Sequence, residues 1–219
     1  MLMLKKAKHV PENVVHERSI EYPFVFMNIG EPPATILDIG CSGSDFPIVL
    51  AAYSFNVYGT DIRDYHIKNP TFTFIKGDIM STSFPDNFFD IITAISTIEH
   101  LGLAGRYEVK DDITSADEIA IKEIKRIIKK NGRFIMTVPY GRFTIFKPWH
   151  KVYDDKNLKN LITDFSVLKE KYFIRNRNGC WIPATKETAS NVVPYVFAKS
   201  GVVLAHHYAL ACLVLKLKR

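Results

Sequence analysis

The chain has 219 residues, 47% of them hydrophobic and 24% charged, with a formal net charge of +6. Those values exclude global disorder and suit one α/β domain, residues 1–219, with a sizeable core. Cys41, Cys180 and Cys212 lie far apart without C-x-x-C spacing, which argues against a disulfide framework or zinc site and fits a reducing, cytoplasmic setting. The moderate positive charge reads as spread surface lysines, and leaves an anionic substrate or nucleic acid open as partners. MLMLKKAKHVPEN carries too short an apolar run for a signal peptide. Val202 to Leu215 is the most apolar late stretch, but it contains His206 and His207 and falls short of the ~20 residues of a membrane span. A membrane partner is not expected.

Residues 1–10 are basic and read as loose, and Pro11 to Ile29 suits a helix, so residues 1–30 form a helical cap that could overlie a pocket. Ile36-Leu37-Asp38-Ile39 is a short buried strand that breaks at Gly40-Cys41-Ser42-Gly43 into a small-residue turn. A helix follows from Phe46, with Ser44 or Asp45 to cap it and Pro47 tolerated in its first turn. Phe55 to Asp61 is a second strand and Thr71 to Ile75 a third, before Gly77-Asp78; three successive strands thus end at or near an acid. Phe88 to Ser96 is a nearly continuous apolar fourth strand. Ser115 and Glu118 suggest a capping box for a helix with Ala120, Ile124, Ile127 and Ile128 on one face, stopped by Asn131-Gly132. Arg133 to Val138 makes the fifth strand, and the alternation implies a doubly wound, mostly parallel sheet. Beyond Pro139 come an aromatic and basic loop, a short helix from Asp154 or Asp155, and a sixth strand from Phe165 to Ile174. Residues 175–208 read as an irregular excursion before a last strand, Ala209 to Lys216.

A strand, a tight turn and a helix make a nucleotide-type site, because backbone groups at the turn closely approach a ligand. A dinucleotide would want G-x-G-x-x-G there. Counted from Gly40, Ser42 and Asp45 replace the second and third glycines, and an acid is unfavourable where a phosphate should lie. A P-loop is excluded by the lack of a following GKS or GKT. In order and spacing, LDIGCSGS, YGTDI, FIKGDI, FPDNFFDIITAISTIEHL and IKKNGRFIMTVPYG resemble the motifs of class I S-adenosylmethionine-dependent methyltransferases, over about Ile36 to Tyr140.

The resemblance implies a Rossmann-like, seven-stranded sheet with an antiparallel C-terminal strand, and S-adenosylmethionine as cofactor. It implies that Asp38 and Gly40 lie beneath the methionine part and that Cys41, Ser42 and Gly43 form the turn. Asp61 would accept from both ribose hydroxyls, Ile62 would pack on the adenine, and Asp78 with the Ile79 amide would bind the adenine edge. Ser96 and Thr97 would line the route to the sulfonium.

Methyl transfer needs alignment, and with a hydroxyl acceptor a general base, for which histidine suits neutral pH. His100, after the fourth strand, and His150, in the aromatic loop, are the candidates; Glu99 could orient His100, while His206 and His207 read as structural. No metal is expected. Phe143, Phe146, Trp149 and Tyr153 would wall a small-molecule acceptor pocket or form a core lid, and Arg142, Lys147 and Lys151 among them leave an anionic acceptor open. The implied activity is methyl transfer to a small molecule, such as a sugar or secondary-metabolite hydroxyl or amine. The alternatives are RNA or protein methylation, or a non-catalytic protein of the same fold. Oligomeric state is not legible.

Overall fold

A computed structural model describes residues 14–68, 70–107, 109–199 and 202–218. The expectations for residues 1–13 lie outside the described residues. Helix α1 (Arg18–Ile29) carries through Pro23. Strand β1 (Thr35–Ile39) leads by a 3-10 turn (Cys41–Gly43) to α2 (Phe46–Ala52), then β2 (Asn56–Asp61), β3 (Thr73–Lys76) and β4 (Phe89–Ile95). Helix α3 (Ala116–Ile127) precedes β5 (Ile128–Tyr140), a β6–β7 hairpin (Thr144–Phe146, His150–Val152), α4 (Asp155–Leu161) and β8 (Phe165–Arg175). Next come β9 (Trp181–Ala184), α5 (Lys186–Ser190), a β10–β11 hairpin (Tyr195–Lys199, Val202–His207) and β12 (Ala209–Leu217).

The main sheet has the order β3-β2-β1-β4-β5-β12-β8-β9. The five strands from β3 to β5 pair in parallel, while β12 lies antiparallel between β5 and β8. All seven expected strands are present, and β9 adds an eighth by pairing antiparallel with the edge of β8. The stretch 175–208 is therefore not an irregular excursion but carries this strand, α5 and the small hairpin. Thr185 caps α5 by accepting from the Thr188 N–H.

Side chains alternate across the sheet with a period of two. Leu37, Ile92, Phe134 and Leu213 pack on one face against Ile121, Ile124 and Ile127 of α3. Ile36, Ile91, Ile135 and Val214 pack on the other, against Phe24 and Val25 of α1 and Phe46 and Leu50 of α2. The segments after β1 and β4, neighbours in the sheet, thus leave toward opposite faces and open a crevice at their carboxyl ends.

Two local expectations are corrected. Ser115 adopts a left-handed conformation (φ 57°) and its side chain makes no cap bond, so no capping box forms. Helix α3 ends at Ile127, four residues before Asn131. Ile128 already pairs with Phe89, and the register shifts before Ile91 pairs with Arg133. A Cβ on Gly132 would stand 2.7 Å from Ile128 and 3.0 Å from the Asp90 carbonyl, so this glycine serves strand packing rather than a helix stop.

Helix α1 is fastened to the sheet by a buried carboxylate. Glu21 is fully buried, and its Oε1 accepts from Ser96 Oγ (2.5 Å) and Thr137 Oγ1 (2.6 Å) while its Oε2 pairs with Arg18. The Arg133 guanidinium donates to the last carbonyls of α1, from Asn28 and Ile29. Glu21→Ala leaves these hydroxyls and Arg18 without an acceptor, at a cost of about 2 kcal/mol in stability. Urea unfolding checks this, with exposed Glu31→Ala as the unchanged control.

Candidate active site

The crevice widens into a cavity of about 700 Å³, whose lining runs from the turn after β1 across the ends of β2 and β4 to β7 and β11. Pockets of this size hold small molecules and cofactors. Gly40 has φ +75° and its N–H donates to the Thr60 carbonyl; a Cβ there would lie 2.5 Å from the Thr97 side chain. Only glycine fits both demands. A Cβ on Gly43, by contrast, would meet nothing within 4 Å, so at this position the backbone faces the open cavity.

Of the expected cofactor residues, Gly40, Gly43, Asp61, Ile62, Asp78, Ile79, Ser96 and Thr97 line the cavity. Cys41 and Ser42 are buried behind the turn, and the Ser42 N–H donates to Asp61 Oδ2 (3.0 Å). Asp38 is buried beneath it, accepting from Thr93 Oγ1 (2.6 Å); burial pushes its carboxyl up to about 7 against that hydrogen bond. Ser44, not Asp45, takes the start of α2, accepting from the Phe46 N–H and bonding the Tyr22 hydroxyl of α1. Burial alone would raise Asp61, but hydrogen bonds from the Arg63 side chain and backbone and from Ser42 hold its carboxyl below the ordinary range. Asp78 accepts from the Met80 N–H (2.8 Å). The Ser96 hydroxyl is committed to Glu21.

The far half of the cavity is walled by His100, Trp149, His150, His206 and Tyr208. His100 Nδ1 lies 2.6 Å from the Trp149 carbonyl. A carbonyl only accepts, so Nδ1 carries the hydrogen and the lone pair is on Nε2. Glu99 does not orient this ring: its Oε1 is 3.9 Å from Nε2, and burial raises its carboxyl well above the ordinary range. Burial pushes His100 down to about 4 and His150 to about 3. His150 is 5% exposed, and its Nε2 has no hydrogen-bond partner among the described residues. Its ring stands edge-on to His206 (4.6 Å) and Tyr208 (5.3 Å). His206, expected to be structural, is thus part of the cavity wall, delivered by the β10–β11 hairpin that the sequence did not reveal.

The aromatic loop divides differently from expectation. Only Trp149 of its four rings lines the cavity; Phe143 is exposed, Phe146 packs behind His150 and His206, and Tyr153 is buried and donates to Asp117. Arg142, Lys147 and Lys151 do not line it, and the two lysines pair with Asp112 and Asp117. The cations that do line it, Arg18, Arg63, Arg106 and Arg175, escaped sequence reasoning because no motif marks them. Arg18 pairs with Glu21, Arg63 with Asp61 and Arg175 with Glu17. Arg106 lies over the rings of Tyr107 (4.3 Å) and Trp149 (5.2 Å) and has no carboxylate partner among the described residues. Among those residues no cluster of three or more His, Cys, Asp or Glu is placed to hold a metal ion, and no helix is long and apolar enough to cross a membrane.

Residues 37–136 match the family profile described as a methyltransferase domain. The sterol 24-C-methyltransferase of Aspergillus fumigatus is 32% identical over 112 residues, which are 45% of this chain and 26% of that protein. The chain thus spans about a quarter of that relative's length. A structure described as an S-adenosylmethionine-dependent methyltransferase from Methanosarcina mazei superposes with a TM-score of 0.59 at 15% identity, covering 89% of this chain and 98% of that one. A 1,6-didemethyltoxoflavin-N1-methyltransferase from Burkholderia thailandensis, with 1,6-didemethyltoxoflavin and S-adenosylhomocysteine bound, gives a TM-score of 0.57 at 13% identity, covering 90% of this chain and 76% of that one. A parallel sheet with an antiparallel β12, a glycine turn after β1 and an acid closing β2 agree with these matches: the chain has the Rossmann-like fold of these methyltransferase structures, and its residues 37–136 match a methyltransferase domain.

Proposed function

We propose that this protein transfers a methyl group from S-adenosylmethionine to a small-molecule acceptor, in the cytoplasm, with residues 1–219 acting as one unit. One observation carries the reading: a single cavity joins the Asp61–Asp78 edge to a histidine whose Nε2 holds a lone pair. The residues on the first side fit the cofactor. Asp61 and Asp78 offer acceptors for hydroxyl and amino groups, Ile62 and Ile79 offer apolar surface, and the Gly43 backbone lies open to the cavity, with Gly40, Cys41 and Ser42 shaping the turn above Asp38. When bound, the cofactor supplies an electrophilic methyl on a sulfonium.

The chain supplies alignment and a proton acceptor. Held by the Trp149 carbonyl and kept neutral by burial, His100 Nε2 takes the proton that an acceptor hydroxyl or amine loses. His150 stands beside it, and His206 beside His150, as further neutral polar surface. Arg106 favours an acceptor of negative charge, since it is the lining cation without a carboxylate among the described residues.

Labelled methyl from S-adenosylmethionine is expected in the small-molecule fraction of a cell extract; label confined to RNA or to protein would overturn the acceptor class. His100→Ala should leave S-adenosylhomocysteine binding within about twofold while slowing transfer about 100-fold. Equal turnover in this variant removes His100 as base.

The base works only when unprotonated, and its pKa is lowered from the usual value to about 4. Transfer by the wild type should therefore stay level as pH falls from neutrality and drop only as pH approaches about 4. A fall centred near 6.5 in a pH–rate profile, taken where circular dichroism shows the fold intact, would show that the base is not this ring.

A further inference from the structure

The hydrogen-bonding capacity of Asp61 is filled by its own chain. A carboxylate offers about four lone-pair directions. Oδ1 accepts from the Arg63 N–H (2.9 Å) and Arg63 Nε (3.1 Å), and Oδ2 accepts from the Ser42 N–H (3.0 Å) and Arg63 Nη2 (3.0 Å). Two of the four are backbone bonds: the Ser42 N–H ties the turn after β1 to the end of β2, and the Arg63 N–H closes a local turn after β2. The other two come from a guanidinium fork, which spans both oxygens as two adjacent hydroxyls of a ribose would. Both side chains line the cavity. Arg63 has a second partner: while bonded to Asp61 its guanidinium also lies over the Tyr107 ring at 4.5 Å, and its side chain is 34% exposed, so losing the carboxylate does not strand it in an apolar interior.

We propose that Arg63 guards the ribose-binding face of Asp61, and that S-adenosylmethionine binds by exchanging its vicinal diol for the guanidinium fork, with the arginine released toward solvent while Tyr107 still supports it. This rests on the assignment of the pocket to that cofactor. Arg63 then sets two properties of the site. Affinity is lower than the same pocket would have without the arginine, because the ion pair is broken on binding. Selectivity is higher, because only a ligand with both hydroxyls replaces both bonds; a ligand lacking one leaves a carboxylate oxygen unpaired.

Calorimetric titration of S-adenosylhomocysteine into the full chain tests this, comparing the wild type with Arg63→Met. The variant should bind about tenfold tighter, equivalent to about 1.4 kcal/mol. Raising salt from about 50 to about 500 mM screens the pair from its solvent-facing side, where Arg63 is partly exposed, so wild-type affinity should rise while that of the variant stays flat. An analogue lacking the 2′-hydroxyl should lose more affinity in the wild type than in the variant. Equal or weaker binding by a folded Arg63→Met overturns the proposal. Should that variant fail to fold, wild-type affinity that is flat or falling with salt overturns it equally. If the wild type and a folded variant both fail to bind S-adenosylhomocysteine, the assignment of the pocket to this cofactor falls instead.

Discussion

The structure depends on one topological constraint: β1 and β4 are hydrogen-bonded neighbours, yet the chain after each leaves toward a different face of the sheet. Neither following segment can cover the gap above their carboxyl ends, so a crevice is unavoidable there. Gly40 and Thr97 meet at that point, close enough that no side chain could be added to the glycine, and Thr97 bonds back to the Ile39 carbonyl.

Polar groups around the crevice are handled in two ways. Near the end of β2, charge is kept and compensated, as in the Asp61–Arg63 pair. In the wall beyond β4 burial works against charge: desolvation raises the Glu99 carboxyl well above its ordinary range, and His100, His150 and His206 are driven to the free base. The Glu21 carboxylate between these regions is satisfied by three side-chain donors and ties α1 across the sheet end. A neutral imidazole wall suits a proton acceptor better than a charged one, which would already carry the proton.

Much of the cofactor half was legible in the sequence because its geometry is local. A strand, a glycine turn and a helix follow within a dozen residues, and the acids after β2 and β3 occur at strand ends that parallel pairing brings to the same edge. The commitment of Ser96 to Glu21 was not legible, since 75 residues separate them. Nor was the failure of Ser115 as a cap, where local preference yields to the path imposed by Gly102, whose Cβ would clash with the Ile113 carbonyl and Ala116.

The sequence by itself determined the fold class, the seven strands with long apolar runs, the family resemblance and the edge at which a nucleotide-like ligand would lie. All of these follow from periodicity and from motifs whose members are close along the chain. Only the tertiary structure decided which histidines share the cavity, that Trp149 orients His100 through its carbonyl, that Arg106 rather than Lys147 or Lys151 faces the pocket, and that Arg63 fills the outer bonds of Asp61. These depend on where β7 and the β10–β11 hairpin come to rest against the sheet end, and on the choice each long side chain makes among partners within reach.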